Sequence, residues 1–329
     1  MRRTSTVLFL AAMIMGVAST STHAIDQQVF GVSASVYVDN IDGPIGIDFA
    51  PDGTLYVGRD LSMSGGTSGT PARIRKVPAG GGSFVEFGDL IDDPDEVFVD
   101  VTGQYSGTPG SVLVAGKTLV FGPGFIRAVA PDGTTTLVAQ TAAMDIGING
   151  LGALSDNTLV AGATEGPYYT LNTGTNSLDP FFDMGNSTGG VAIDSQDRIY
   201  SMVGILGSAP GEIRRYDPNS GTFDTFYSGF TVTPAASAII FGPGDAFWGS
   251  DLYTFNRGTG ELLRINSAGV ATVIGSGFDQ GFVADIEFGP DGALYASLFG
   301  GDQIIRFAPE PSSLTLLGLG AIALIRRRR

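Results

Sequence analysis

The chain has no cysteine and a single histidine, His23, among its 329 residues. Without thiols there is no disulfide framework, no cysteine-ligated metal and no cysteine nucleophile. His23 lies in an N-terminal stretch with the features of a removable export signal, so we expect the mature chain to lack imidazole. That absence excludes Ser-His-Asp catalysis, histidine-ligated zinc and haem held by histidine. A carboxylate would serve as general acid or base only if burial raised its pKa.

Positive charge is also scarce. Only 12 of the 18 Lys and Arg residues lie within residues 25–308, which hold 32 of the 33 Asp and Glu residues. The body therefore has a net charge of about −20, which excludes nucleic acid as a partner because such binding needs a basic surface. Acidity of this size favours solubility and contact with divalent cations.

The N-terminus has the three parts of a secretory signal peptide. Arg2-Arg3 are the basic start, residues 7–17 form an apolar run, and Thr22-His23-Ala24 is a small-x-small cleavage site. We expect residues 1–24 to be removed on export.

The C-terminus combines Pro309-Glu310-Pro311 with an apolar run over residues 314–325 and four arginines, 326–329. This order resembles the PEP-CTERM sorting signal of Gram-negative bacteria, here residues 309–329. The resemblance implies transient anchoring in the inner membrane, cleavage by an exosortase, and display at the cell surface or secretion. The alternative is a small tail anchor, although about twelve apolar residues fall short of the roughly 20 of a spanning helix.

Glycine is abundant, with 49 residues, but follows no Gly-X-Y period. The glycines separate short runs rich in Val, Ile, Phe, Tyr and Leu, and no stretch sustains a 3.6-residue period, so the sequence predicts an all-β fold. The segment 47–56 recurs almost unchanged as 286–295, and weaker copies lie between them. Six positions are interpreted as equivalent: Leu55, Leu113, Leu159, Ile199, Phe247 and Leu294.

The spacings between these positions, 58, 46, 40, 48 and 47 residues, are typical of propeller blades. Residues 25–308 are therefore predicted to form a six-bladed β-propeller of four-stranded blades. The sixth repeat lacks its outer strand, and a strand at Val29 to Val38 precedes the first repeat, so the N-terminal strand is expected to complete the last blade. In this alignment Trp248 falls beside Tyr56, Tyr200 and Tyr295, which predicts a place in the core between blades.

The copies Gly46 to Val57 and Asp285 to Tyr295 resemble blade motifs of NHL-repeat, gluconolactonase/regucalcin-like and quinoprotein sugar dehydrogenase propellers. The resemblance implies six-bladed architecture and does not separate these families. Quinoprotein dehydrogenases and streptogramin-lyase-like propellers rely on a catalytic histidine, which the mature chain lacks. Their activities are therefore not expected.

Resemblance to the gluconolactonase/regucalcin-like family implies a calcium or zinc ion on the propeller axis, held by a Glu, an Asn and an Asp. Asn149 matches the family's Asn, whereas Gly189 stands at the position of the Asp. Pro44 or Ile45 stands at the position of the Glu, with Asp42 out of register. With one of three ligands retained, tight calcium binding is not expected. Asn149, Glu96 and Asp95 remain the metal candidates, and calcium is the candidate cofactor.

An acidic stretch with six carboxylates between Asp89 and Asp100 precedes and enters the second repeat. It lacks the spacing of an EF-hand loop, so it is either a solvated loop or a calcium-binding one. Asp95 and Glu96 fall at the start of an inner strand and should approach the central channel. The candidates for ligand contact at the channel are Asp95, Glu96, Asn149, Thr188, Ser237 and Asp285.

These patterns favour an exported binding or interaction module of the cell surface or extracellular matrix, with an extracellular polysaccharide or a surface protein as its partner. The alternative is a divalent-metal-dependent hydrolase of lactones or esters in the central channel. A third interpretation is a structural matrix component without a discrete ligand. The plain chemistry of the mature chain favours binding over catalysis.

Overall fold

The computed structural model describes residues 28–60, 70–118, 122–144, 146–164, 166–204, 211–230, 238–278 and 283–309. These residues form 25 strands, numbered β1 to β25 in chain order, and one short 3-10 helix, Phe299–Gly301. None of the helices in these ranges is long and apolar enough to cross a membrane. The predicted signal peptide, Ser237 and the sorting tail from residue 310 onward lie outside the described residues.

Three of the sheets contain four antiparallel strands each. Sheet 1 consists of β3 (Pro44–Phe49), β4 (Leu55–Arg59), β5 (Ala72–Val77) and β6 (Val85–Ile91). Sheet 3 consists of β15 (Ala192–Ile193), β16 (Ile199–Val203), β17 (Gly211–Asp217) and β18 (Thr222–Phe230). Sheet 5 consists of β23 (Val283–Phe288), β24 (Leu294–Leu298), β25 (Gln303–Pro309) and, from the N-terminus, β2 (Val32–Val38).

The other two sheets are larger. Sheet 2 has eight strands: β7 (Pro94–Asp100), β8 (Ser111–Lys117), β9 (Pro123–Val129), β10 (Thr135–Met144), β11 (Ile148–Ala153), β12 (Leu159–Ala163), β13 (Tyr168–Asn172) and β14 (Ser177–Phe182). Sheet 4 has five: β19 (Ile239–Phe241), β20 (Leu252–Asn256), β21 (Glu261–Ile265), β22 (Ala271–Ser276) and β1 (Gln28–Val29).

The all-β, propeller-like arrangement is confirmed, but the described strands do not form six separate four-stranded sheets. Sheet 2 arises because β10 and β14, the last strands of its two four-stranded halves, pair in parallel over two residue pairs, Gln140↔Ser177 and Thr141↔Leu178. Sheet 4 gains its fifth strand because β1 pairs with the edge strand β22. Both pairings cover strand edges that would otherwise be open.

The predicted N-terminal strand is split between two sheets. β1 pairs with β22, and after a turn at Phe30 and Gly31 the chain continues as β2, which pairs antiparallel with β25 from Val32↔Pro309 to Val38↔Ile304. The N-terminal strand therefore completes the last repeat, as expected. Both ends of the body thus meet in sheet 5, and that pairing closes the ring.

The alignment of Phe247 and Trp248 with the second strands of other repeats was wrong. Trp248 lies in a turn, and the second strand of this repeat begins at Leu252, so Tyr253 occupies the position of Tyr200 and Tyr295. The turn between β19 and β20 is longer than its counterparts, and its Phe-Trp pair imitates the Leu-Tyr pattern. The predicted core position of Trp248 is nevertheless confirmed: it is 2% exposed, and its Nε1 donates to the Gly292 carbonyl at 2.9 Å.

Ring closure gives a testable consequence at Val38, which is 1% exposed at the end of β2. Val38→Asp would bury an unpaired carboxylate, and we expect it to lower the free energy of unfolding by about 3 kcal/mol or more. Ser35→Asp, at an exposed position of the same strand opposite Arg306, should change it little. Chemical denaturation measures both, and equal stability of the two variants would contradict the role of β2.

Candidate functional site

The first strands of the repeats meet around a central cavity of about 250 Å³. Its lining is apolar except for four carboxylates, which come from three of these strands: Asp48, Glu96, Asp285 and Glu287. Residues alternate in direction along each strand. The buried Ile47 and Ile286 therefore project to the opposite sheet face from the acidic neighbours Asp48 and Glu287, and all four residues border the cavity.

Two of these carboxylates connect neighbouring sheets. Asp285 of sheet 5 accepts hydrogen bonds from the Ile286 amide and from the Ile47 amide of sheet 1, each at 2.8 Å. Asp48 of sheet 1 likewise accepts from the Phe49 amide and from the Val99 amide of sheet 2, each at 2.6 Å. The carboxylates thus satisfy backbone donors at the inner edges of sheets that share no ladder there.

Burial makes these groups weak acids. It raises the pKa of Asp285 to about 8, with a further contribution from the nearby Asp48 charge and opposition from the two amide hydrogen bonds. Burial also raises the pKa of Asp48 to about 6, against the amides of Val99 and Phe49. The pKa of Glu287 is raised well above its usual range by burial, then by Asp48 and Asp285. Three carboxyls that interact in this way do not all ionise near neutral pH.

A second cluster of polar side chains lies where β7 and β11 begin. The Asn149 amide nitrogen is 3.3 Å from Asp95 Oδ2, and its amide oxygen is 2.7 Å from Thr164 Oγ1, in the orientation that satisfies both atoms. Thr164 Oγ1 is also 3.5 Å from the Thr188 carbonyl oxygen. The structure therefore brings together Asp95, Asn149 and Thr188 of the predicted channel residues. Glu96 and Asp285 line the cavity instead.

Asp95 is held in an environment that disfavours its charge. Burial raises its pKa well above the usual range, and the Asp93 and Asp60 charges add to the shift, while Lys117 opposes it. A carboxyl that retains its proton donates a hydrogen bond and is a poor ligand for a cation. This setting supports a polar contact point more than a metal ligand.

The ligand set implied by the gluconolactonase-like resemblance is incomplete in space as well as in sequence. Among the described residues, no three Asp, Glu, His or Cys side chains are grouped to hold a metal ion. Gly189 has φ +94°, and a Cβ there would lie 2.8 Å from the Asn149 Cβ, so a side chain does not fit. Asp42 forms ion pairs with Arg59 and Arg75. Burial opposes its ionisation, but hydrogen bonds from Arg75 and Arg59 outweigh burial and lower its pKa.

The acidic stretch is divided between the two ends of β7. At one end Asp95 contacts Asn149, and at the other Asp100 organises the loop that follows β7. The Asp100 carboxylate accepts from the amides of Gln104, Tyr105 and Ser106 at 2.8–3.0 Å. Carboxylates that face opposite ends of a seven-residue strand do not share one cation. The six-carboxylate stretch is therefore not a single site.

Sequence reasoning missed Asp48 and Glu287 as cavity residues. Both belong to the repeated segment, in Ile47-Asp48-Phe49 and Ile286-Glu287-Phe288, and were interpreted as packing motif. A signal was available, since an acidic residue between two apolar residues of an inner strand projects to the opposite sheet face from them.

The raised pKa values predict how stability depends on pH. These carboxyls ionise near pH 4 in an unfolded chain, whereas folding holds a proton on Asp48 up to about pH 6 and on Asp285 up to about pH 8. The folded state then binds more protons, so the free energy of unfolding falls as pH rises from about 4 to about 8. In thermal unfolding measured across this pH range, Asp285→Asn should reduce the loss of stability with rising pH, whereas Asp39→Asn, at an exposed position, should not. Identical pH slopes for the full chain and the two variants would contradict this prediction.

Comparison with known proteins identifies the C-terminal segment. Residues 308–329 match the PEP-CTERM protein-sorting motif, which implies export, transient membrane anchoring and processing by an exosortase. The recognition of this tail from the sequence is thereby confirmed. The matched segment overlaps the end of β25, so the motif begins within the last strand of sheet 5. No curated protein sequence matches the chain.

Solved structures with similar folds serve different functions. A gluconolactonase from Xanthomonas campestris has a TM-score of 0.63 and 15% identity, covering 86% of this chain and 91% of that one. A glucose dehydrogenase has a TM-score of 0.63 and 15% identity, with 83% and 98% covered. An auxiliary nutrient binding protein from Bacteroides thetaiotaomicron has a TM-score of 0.61 and 11% identity, with 84% and 76% covered. At these identities the likeness concerns the fold alone.

Proposed function

We propose that the chain is an exported six-bladed propeller that acts as a binding module at the cell surface after exosortase processing. Two features support the blade number. Sheet 2 separates into two antiparallel four-stranded halves, β7–β10 and β11–β14, joined by only two residue pairs. Sheet 4 is a four-stranded unit with the two-residue strand β1 at its edge. Each sequence repeat then corresponds to one blade.

Binding is favoured over hydrolysis chiefly because the axial carboxylates already hold the sheets together. Asp285 and Asp48 each accept two backbone hydrogen bonds, one of them from the next sheet. A group in this role is a positioning element of the fold, and moving it toward a substrate would break a link between sheets. The propeller body is also joined directly to the sorting signal, because β25 ends at Pro309, the first residue of the Pro-Glu-Pro triplet.

The metal-dependent lactonase or esterase remains the second candidate because Asp95 and Asn149 lie 3.3 Å apart near the axis and one similar fold belongs to a gluconolactonase. Elemental analysis and lactone turnover distinguish the two. For the full chain we expect no stoichiometric calcium or zinc and no calcium-dependent lactone hydrolysis, together with retention on extracellular polysaccharide or surface protein from the host cell. Tightly bound metal with turnover that is abolished by Asn149→Ala would overturn the proposal.

The missing third ligand gives a direct test. Gly189→Asp restores the carboxylate that the resemblance implies, but its Cβ meets the Asn149 Cβ and, at 3.1 Å, the Gly162 carbonyl oxygen. Gly80→Asp is the matched control, since Gly80 has a similar φ of +93° and no atom within 4 Å of a built Cβ. Gly189→Asp should cost about 1–3 kcal/mol more than Gly80→Asp because of overpacking. Calcium affinity gained by Gly189→Asp without loss of stability would contradict this.

A further inference from the structure

Three neighbouring crevices between sheets are built around the same aromatic pair, a tyrosine from the second strand of one repeat and a phenylalanine from the first strand of the next. The ring centroids are 5.0 Å apart in the crevice between sheets 3 and 4, 5.8 Å between sheets 4 and 5, and 4.6 Å between sheets 5 and 1. The pairs are Tyr200–Phe241, Tyr253–Phe288 and Tyr295–Phe49.

Each of these crevices holds a third aromatic ring from a segment outside the tyrosine–phenylalanine pair. Between sheets 4 and 5, Trp248 of the long β19–β20 turn packs 5.4 Å from the Phe288 ring. Between sheets 5 and 1, Tyr37 of β2 packs 4.9 Å from the Tyr295 ring. Between sheets 3 and 4, Phe226 of β18 packs 4.9 Å from the Tyr200 ring. The geometry of the tyrosine–phenylalanine pair therefore leaves space for a ring-sized group.

The crevice between sheets 3 and 4 also contains a cavity of about 420 Å³, which is lined by its three rings. Its floor is apolar, with Tyr200, Leu252 and Ile265 fully buried. Phe226 packs on Tyr200 with ring centroids 4.9 Å apart and forms one wall, opposite Phe241. The rim is polar and open to solvent. An apolar floor with a few convergent polar groups at this volume is typical of a small-molecule site.

The polar groups of this crevice are charge-balanced. Arg198 pairs with Asp194 at 2.6 Å, and Arg264 pairs with Asp251, a lining residue, at 2.7 Å. Each arginine is thus neutralised by a carboxylate, so the crevice favours neither an anion nor a cation. Neutral hydroxyl groups can hydrogen-bond with both members of such pairs.

We propose that the crevice between sheets 3 and 4 binds a neutral pyranose unit of a polysaccharide. The inference rests on the proposed binding function and gives it a site and a ligand class. The apolar face of a pyranose ring fits against Phe226 and Phe241, the aromatic walls of the cavity. Its hydroxyls meet Asp194, Arg198 and Asp251, and serine hydroxyls complete the rim: Ser195, Ser250 and Ser267.

A matched pair of variants tests the site. Ser267, in the β21–β22 turn, lines the crevice, whereas Ser220 occupies the corresponding Asn-Ser position of the β17–β18 turn outside it. Ser267→Trp places a bulky ring at the rim of the cavity, and Ser220→Trp adds the same side chain elsewhere. The full chain and both variants are applied to an array of neutral hexose oligosaccharides, with thermal unfolding as the folding control.

We expect the full chain and Ser220→Trp to bind the same oligosaccharides, and Ser267→Trp to bind them roughly tenfold or more weakly, equivalent to about 1.4 kcal/mol. Equal binding by all three proteins would overturn the crevice as the site and leave the binding function intact. Binding of charged or aromatic probes alone would overturn the ligand class. Absence of binding to every glycan, combined with retention on a surface protein, would overturn the pyranose proposal but not the binding module.

Discussion

The hydrogen bond from the Ile47 amide to the Asp285 carboxylate joins the first sheet to the last, and closure of the ring depends on it together with the β2–β25 pairing. The sheets meet at the axis edge to edge without a shared ladder, so their inner strands must satisfy amide groups by other means. Asp48 makes the same kind of bond to Val99, one sheet further around. Hydrogen bonds at the axis and apolar packing between the sheets therefore both hold neighbouring sheets in place.

The close approach of the inner strands also limits the chemistry that is possible at the axis. The carboxylates that hold the sheets are desolvated, which raises their pKa values and keeps part of the cluster protonated near neutral pH. Close approach also requires residues without side chains. The Gly189 position is enclosed by Asn149, Gly162 and Thr164, so a third ligand for an axial metal has no space. The close approach of the strands at Gly189 thus leaves no room for a side-chain ligand beside Asn149.

Much of the fold could be predicted from the sequence because the repeated segment fixes strand, turn and strand at a constant spacing. Leu159, Ile199 and Leu294 each begin a second strand as expected, and Asp285 was recognised as an axial residue. The assignment failed at Trp248, where an enlarged turn imitates the repeat. The joining of β10 to β14 could not be predicted either, because pairing of two outer strands depends on how neighbouring sheets are placed in space.

The sequence pattern alone also could not reveal the cavity between sheets 3 and 4, since the third ring of each crevice comes from outside the repeated segment. Tyr37 comes from the N-terminal strand and Trp248 from an enlarged turn, and neither belongs to the repeated pattern. The repeat specifies the tyrosine–phenylalanine pair at these three interfaces but leaves the third ring to segments that differ between repeats. In a fold whose repeats share their packing, specificity must come from such differences. The interface between sheets 3 and 4, where a cavity remains beside Tyr200, Phe226 and Phe241, is therefore where a ligand has room to bind.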